Sequence, residues 1–494
     1  MAISSGRRGG GLARLLLASG ALVVGGAEAV IRGVNLGGWL VTEPWMTPTL
    51  YQSTNTTCEW DLCNALGKQD CLTALQQHWS CDVLHPRRLP ADEECRAKCV
   101  SPWEGISTWT PDRIGADTCG SSDSVRIPLG YWAVNLLDYE PYVSGQYPYL
   151  LQAVEWAKQM DFTVLIDLHG IPGSQNGWEE SGLVGAIAYP DNTTNEERTL
   201  SVLKNLTAEF SQPYYNGVVT NIEIVNEPIF AYQPLITLYE AGAQVIGVAN
   251  NSGINTTIHD AFYNPPFWKN FDPWHTGGFS DAPAPHATVD THQFWAFPPL
   301  NNLSAEQILE RVCEFGKEIK APNSGIPPTL VGEWSLDTGY TANSSTNTAE
   351  DVHKRTWFRK LFEAQNAAYT PNGPNESSIG WYFWAWKTEY DIDAWSYRKG
   401  VAEEYIPSNV SDKSTYIFPV QEDGCIDVSF DYTAPASVTN YGGSGGTSPT
   451  STAPSASATA GSSSSSTKKS DAGSLSPGML TWVAVGSIVL SSIC

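Results

Sequence analysis

Short apolar segments alternating with helix-like stretches constrain the fold of this chain more than any other feature. Eight such segments stand out: Ile31 to Trp39, Val125 to Leu129, Thr163 to Leu168, Asn221 to Asn226, Thr256 to Ala261, Ala287 to His292, Thr329 to Glu333 and Ile379 to Trp386. Near-continuous apolar runs of this kind are what parallel strands need when both faces are covered. Tyr149 to Met160, Pro234 to Asn250, Ala305 to Lys320 and Ala349 to Asn366 fall between them with helical spacing. The alternation predicts an α/β protein, a (β/α)8 TIM barrel forming a single catalytic domain with insertions over residues 30–440. Thr256 to Ala261 is the least marked strand, because its apolar run is short and a sequon at Asn255 interrupts it. Barrels of this type collect their chemistry at the C-terminal ends of the strands, so polar residues there become candidates.

Both termini read as processing signals. Arg7, Arg8 and Arg14 precede or open an apolar run from Leu15 to Val24, and Ala27-Glu28-Ala29 supplies a small-x-small cleavage pattern. Residues 1–29 are therefore expected to be a signal peptide; the run is too short for a bilayer span, which takes about 20 apolar residues. Residues 441–478 form a Ser/Thr/Gly-rich linker, and residues 479–494 are a mostly apolar tail with no basic residues after it. Small residues, spacer and tail together predict a GPI-anchor signal, against the alternative of a plain Ser/Thr-rich stalk. The expectation is a secreted, extracellular protein held at the cell wall or cell surface, attached to the membrane through that anchor, and monomeric.

Nine Asn-x-Ser/Thr sequons, at Asn55, Asn192, Asn205, Asn250, Asn255, Asn302, Asn343, Asn375 and Asn409, agree with a glycosylated exterior. Ten cysteines in an exported chain point to disulfides, and the absence of a CxxC pair with matching histidines gives no reason to expect a metal or other cofactor. The formal charge of −24 argues against nucleic acid and against electrostatic attachment to anionic lipid. A neutral substrate is compatible with it. The 19 tryptophans suit a carbohydrate, whose C–H faces lie well on flat apolar rings, although core packing accounts for most of them.

Two strand ends carry the chemistry. NIEIVNEP ends the fourth strand in Asn226-Glu227, and PTLVGEWS ends the seventh in Glu333. Glycoside cleavage needs such a pair, one carboxylic acid to protonate the leaving oxygen and one carboxylate to attack or steady the anomeric carbon. A single strand-end glutamate is as often a salt-bridge partner; two on nonadjacent strands are much less so. Arg126, His169 and His292 fall at the same rim, where Arg126 can hold a carboxylate ionised and the histidines can bond sugar hydroxyls or orient the acids. Trp381, Trp384 and Trp386 in the last strand offer a sugar platform, although side-chain alternation must turn at least one of them away.

RGVNLGGWLVTEPW, VRIPLGYWAV, DLHGIPGSQNGW, IVNEP, DTHQFWAF, VGEWS and FWAWKTE, in that order, resemble glycoside hydrolase family 5, and specifically its fungal-type exo-1,3-β-glucanases. The resemblance spans about Ile31 to Cys425. It implies a retaining (β/α)8 hydrolase that releases glucose from nonreducing ends of 1,3-β-glucan, with Glu227 as acid/base and Glu333 as nucleophile. It further implies supporting roles for Arg126, His169, Asn226, His292 and Trp384, a terminal-sugar contact at Glu43, an aromatic pair of Trp178 and Phe297 at the pocket entrance, and a Cys313–Cys425 disulfide. Other specificities of the same family (1,6-β-glucanase, cellulase, mannanase), transglycosylation, and a lapsed glycan-binding protein are the competing readings.

The chain departs from the family pattern twice. Where the family has His-x-Tyr after the sixth strand, with a hydroxyl on the nucleophile, this chain has His292-Gln293-Phe294, and phenylalanine cannot donate that bond. Cys81 to Ser124 has no helical periodicity, contains Cys81, Cys95, Cys99 and Cys119, and is broken by Pro86, Pro90, Pro102 and Pro111. Lying where the first crossover helix is expected, it reads either as a disulfide-braced insertion or as retained noncoding sequence.

Overall fold

All eight apolar segments are strands: β1 (Val30–Asn35), β2 (Ser121–Gly130), β3 (Thr163–Gly170), β4 (Val219–Glu223), β5 (Asn255–His259), β6 (Thr288–Trp295), β7 (Thr329–Thr338) and β8 (Ser378–Phe383). A computed structural model describes residues 30–81, 121–248, 253–274, 287–339, 352–407 and 409–435. Within it the strands pair in sequence order, each parallel to the next, and β8 returns to β1 to close the barrel. The signal peptide, linker and apolar tail lie outside the described residues, as does the anomalous segment between its first residue and Ser121.

Four helices follow the predicted stretches closely, at Tyr147–Gln159, Tyr232–Gly247, Ala305–Ile319 and Val352–Tyr369. In Ala305–Ile319, apolar residues at three- and four-residue spacing bury Ile308, Leu309, Val312 and Ile319. Its start is fixed by Ser304 and Gln307, each capping the other's backbone N–H. A further helix, Lys68–Cys81, sends Cys71, Leu75 and Trp79 into the main core, so the first crossover has its cover before the anomalous segment begins. That segment is therefore not needed as the crossover helix.

Several predicted boundaries move. β1 stops at Asn35, so Leu36 to Trp39 belong to the following turn. β4 stops at Glu223, which places Asn226 and Glu227 beyond the strand; Glu227 takes a φ of +43°. β7 does not end at Glu333 but runs on to Thr338, with register shifts against β6 around His292 and Trp295. β8 ends at Phe383, leaving Trp384 and Trp386 outside the strand. β5, weak as a local pattern, is held from both sides by β4 and β6 and by Asn221 Nδ2 donating to Thr257 Oγ1 at 3.0 Å. Tertiary pairing supplies what its short apolar run lacks.

Inside the barrel, Leu165, Leu330 and Tyr382 form a small fully packed cluster, capped by the Tyr382 hydroxyl against Ser124 Oγ at 2.7 Å. The interior is a filled core, as barrels of this size require. Arg126 pairs in register with Asn35 and Leu165, and Asp167 with Glu223.

Candidate active site

Arg126 organises the interior of the mouth. Its side chain is fully buried and meets Glu333 at 2.7 Å, Glu223 at 3.0 Å, Asp167 at 3.2 Å and Asp290 at 3.4 Å. It also donates to Asn226 Oδ1 at 2.8 Å and Asn35 Oδ1 at 3.1 Å. Burial opposes its charge, but the carboxylates of Asp167, Glu223, Glu333 and Asp290 overcome that penalty and hold it firmly protonated. One cation cannot neutralise four acids in a dry interior. Accordingly, burial keeps Glu223 well above the usual carboxylate range, while Arg126 and His169 overcome burial at Asp167 and pull it below its ordinary value.

The histidines sit above acids two residues earlier on their own strands. His169 Nδ1 lies 2.5 Å from Asp167 Oδ2, and His292 Nε2 lies 3.8 Å from Asp290 Oδ2. The two-residue period of a strand puts acid and histidine on one face. His292 Nδ1 then faces Glu227 Oε1 at 2.5 Å and Glu333 Oε2 at 3.5 Å. Those two glutamate oxygens therefore lie no more than 6.0 Å apart, the sum of the two distances. Burial resists protonation of His292, but Glu333 and Glu227 outweigh it and raise its pKa well above that of a free imidazole. Burial pushes Glu333 up to about 7, against the opposing pull of His292 and Arg126.

Glu43 enters from the loop after β1. It accepts from Trp45 Nε1 at 2.7 Å, and its second oxygen is buried with no protein partner among the described residues. Burial first, then the neighbouring carboxylates Glu179, Glu333 and Glu227, raise its pKa well above the ordinary value. The side-chain amide nitrogen of Asn226 and Nε2 of His169 are likewise buried without a protein partner. Trp384 stacks on His169 with ring centroids 5.6 Å apart and planes within 5°. Unpaired buried polar groups are costly unless a ligand or water completes them, so this array is shaped for a hydroxyl-rich molecule.

Eight predicted residues, Glu43, Arg126, His169, Asn226, Glu227, His292, Glu333 and Trp384, thus belong to one site. Of the two aromatics expected at the entrance, Trp178 meets Phe262 at 6.2 Å, and Phe297 packs with Phe294 at 5.8 Å and Trp395 at 6.5 Å. Phe294, standing where a tyrosine was expected, also packs against the Met46 and Trp384 cluster. Glu333 instead takes its polar contacts from Arg126 and His292.

Over 429 residues the chain is 31% identical to the probable glucan 1,3-β-glucosidase A of Aspergillus fumigatus, covering 80% of this chain and 90% of that protein. It belongs to the glucan 1,3-β-glucosidases of glycoside hydrolase family 5. Glucan 1,3-β-glucosidase 2 of Wickerhamomyces anomalus is 32% identical over 411 residues, covering 75% of this chain and 86% of the relative. The glucan 1,3-β-glucosidase of Pichia angusta is 30% identical over 429 residues, covering 78% and 88% respectively. Among solved structures, rutinosidase from Aspergillus niger superposes with a TM-score of 0.55 at 20% identity, over 76% of this chain and 98% of that one, which attests the shared fold. No protein-family model matches the sequence. This family member is a glycoside hydrolase.

Sequence reasoning missed Asp167, Glu223 and Asp290 under Arg126, as well as His259 and Phe262. Asp167-x-His169 and Asp290-x-His292 share an acid-x-histidine pattern at two strand ends, a signal visible in the sequence. Phe262 had no such signal, because its partner Trp178 comes from a distant loop.

Proposed function

We propose that this glucan 1,3-β-glucosidase family member is a retaining exo-hydrolase that releases glucose from nonreducing ends of 1,3-β-glucan in cell-wall metabolism. The observation that carries retention is the contact of one imidazole nitrogen with both glutamates, which bounds their nearest oxygens at 6.0 Å. Retaining pairs stand ~5–5.5 Å apart, whereas inverting pairs need ~6.5–9.5 Å to admit a water. The names of the curated relatives support the linkage and the single-glucose product.

In this reading the Glu333 carboxylate attacks the anomeric carbon while Glu227 gives its proton to the departing glycosidic oxygen. Water then enters, Glu227 takes its proton, and the hydroxide displaces Glu333. Arg126 and His292 stabilise the Glu333 carboxylate before attack and as it departs. The free Glu43 oxygen, the Asn226 amide and His169 Nε2 hold hydroxyls of the terminal sugar, and Trp384 lies against its face. No cofactor enters either step.

The test is laminarin hydrolysis by the mature region and by Glu227→Gln and Glu333→Gln. Loss of the acid/base is expected to cost about 10²–10⁴-fold, with the smaller loss on aryl glucosides whose leaving group needs no proton. Glu333→Gln should abolish both activities. A parent-like rate in either variant, or a parent that yields no glucose from laminarin, rejects the reading.

The same reading includes export through residues 1–29, a GPI anchor replacing residues 479–494, N-glycosylation and a monomeric enzyme. The exposure of Asn55, Asn192, Asn205, Asn255, Asn302 and Asn375 supports glycan access, whereas Asn409 is partly buried and turns its amide oxygen back onto Ser411. Release of cell-bound protein by phosphatidylinositol-specific phospholipase C, followed by size-exclusion chromatography with and without glycosidase treatment, checks all four.

A further inference from the structure

Glu59 opens the helix Glu59–Leu66 and is fully buried. Three donors converge on its carboxylate. Thr42, in the loop after β1, gives its backbone N–H at 3.3 Å and its hydroxyl at 3.0 Å to Oε2, and Trp132 Nε1 donates to Oε1 at 2.8 Å. The Tyr51 hydroxyl completes the set, 2.7 Å from Thr42 Oγ1 and 3.0 Å from the Thr42 carbonyl. Burial outweighs these bonds and lifts the Glu59 carboxyl to about 7, and among the described residues no cation stands beside it to offset that penalty.

The residue gripped in this way is the one before Glu43. On its other side Glu43 is closed by a turn, its carbonyl accepting from the N–H groups of Met46 at 3.1 Å and Thr47 at 2.9 Å. Glu59 is itself anchored, because the N–H of Trp60 donates to the Gly182 carbonyl at 3.0 Å and the Cys63–Cys71 disulfide ties its helix to the next. Trp132 is held in turn by stacking on Tyr142, with ring centroids 4.3 Å apart and planes within 5°. The loops after β1, β2 and β3 therefore meet at this helix start. Such a fixed anchor sets the position of Thr42, and with it the point from which Glu43 leaves the backbone.

We propose that Glu59 is a positioning residue, which touches no sugar and holds Glu43 where it meets the terminal glucose. The inference rests on Glu43 bonding a hydroxyl of that sugar. Glu59→Gln keeps the shape of the side chain, but its NH2 group must face either the Trp132 N–H or the two Thr42 donors, a donor against a donor. The Thr42 backbone must then shift, and Glu43 moves with it.

The experiment is a double-mutant cycle on laminarin with the parent, Glu59→Gln, Glu43→Gln and the double variant. In Glu59→Gln alone, kcat/KM should fall about ten- to hundredfold. Added to Glu43→Gln, the same change should cost less than about twofold, because the group it positions is already gone. A larger cost in that background, which a merely structural loss would produce, overturns the inference, and so does a Glu59→Gln enzyme within about twofold of the parent. Should Glu59→Gln not fold, Thr42→Val removes the hydroxyl donor alone and takes its place in the cycle, with an expected fall of about three- to tenfold and the same limit in the Glu43→Gln background. A parent-like Glu43→Gln refutes the Glu43 contact and the inference with it. If the parent yields no glucose from laminarin, the hydrolase reading fails separately, and calorimetric glucose binding to the same proteins is judged by the same limit of about twofold.

Discussion

Arg126 Nη1 stands 2.7 Å from Glu333 Oε1, and this ion pair joins the buried acid layer of the barrel to its reactive rim. The guanidinium spreads its donors over Asn35, Asn226, Glu223 and Glu333 at once. A lysine ammonium keeps the charge but cannot span that set. Arg126→Lys should therefore lower kcat about 10²–10³-fold, the scale seen when one preorganised polar contact is lost. Leaving buried acids unpaired should also lower the melting temperature. Steady-state kinetics with thermal melts checks both, and a parent-like kcat would show that Arg126 is dispensable to the site.

Gly332 is the approach that lets Asp290 reach β7. Its N–H donates to Asp290 Oδ1 at 2.7 Å, and a Cβ there would lie 2.0 Å from Asp290 Oδ2. Gly332→Ala must push this carboxylate aside, and Glu333 follows in the chain. Overpacking costs about 1–3 kcal/mol. Losing the buried hydrogen bond adds about 1–3 kcal/mol. Urea unfolding should show a loss in that combined range, with at least a tenfold fall in kcat at temperatures where the variant remains folded. A stability within 0.5 kcal/mol of the parent's, a bound set near ordinary surface-mutation scatter, contradicts the crowding argument.

Much of this arrangement was legible because it repeats with the period of a strand. The eight apolar runs located the barrel, and the polar residues at their ends located Arg126, His169, His292, Glu227 and Glu333. Strand ends were less legible, since apolarity does not stop where hydrogen bonding does. Ile224 and Val225 continue the apolar run of β4 after its pairing has ended, and Trp334 and Leu336 continue β7 past Glu333. The entrance aromatics were least legible. That Trp178 meets Phe262 depends on how separate loops lie, and no local pattern encodes it.

The rate should follow the ionisation of Glu333, the carboxylate that attacks. Attack needs that group deprotonated, so its protonation stops the reaction. Burial raises the Glu333 carboxyl to about 7, which sets the expected position of the acidic limb of kcat/KM as this group loses its proton. The sign is fixed: activity rises as pH rises through about 7 and is lost below it, where Glu333 is protonated. Glu227→Gln, assayed on an activated aryl glucoside, keeps its nucleophile and should keep this limb. The acidic limb should move lower, because the Glu227 charge that helps to raise Glu333 is gone. An unmoved acidic limb in that variant would assign it to another group.

Glu227, His259 and His292 offer ligand atoms within 4.8 Å of one another, a spacing that a metal ion could use. The hydrogen bonds argue otherwise. Ala261 N–H donates to His259 Nδ1 at 3.0 Å, so that lone pair is committed and the proton of the neutral ring sits on Nε2. His259 stays neutral, since burial first and the nearby His292 and Arg126 charges next push its pKa well below the ordinary value. His292 places Nδ1 between two glutamate oxygens and Nε2 toward Asp290, and its raised pKa puts a proton on each nitrogen. Neither imidazole then presents a lone pair, and a metal requires one from each. Prolonged dialysis against a chelator should leave laminarin hydrolysis unchanged at pH 6, and stoichiometric zinc should neither inhibit it nor bind in calorimetry. Activity lost to the chelator and restored by a metal ion would mean that these two rings switch tautomer and charge together, and that the donor array is instead a ligand set.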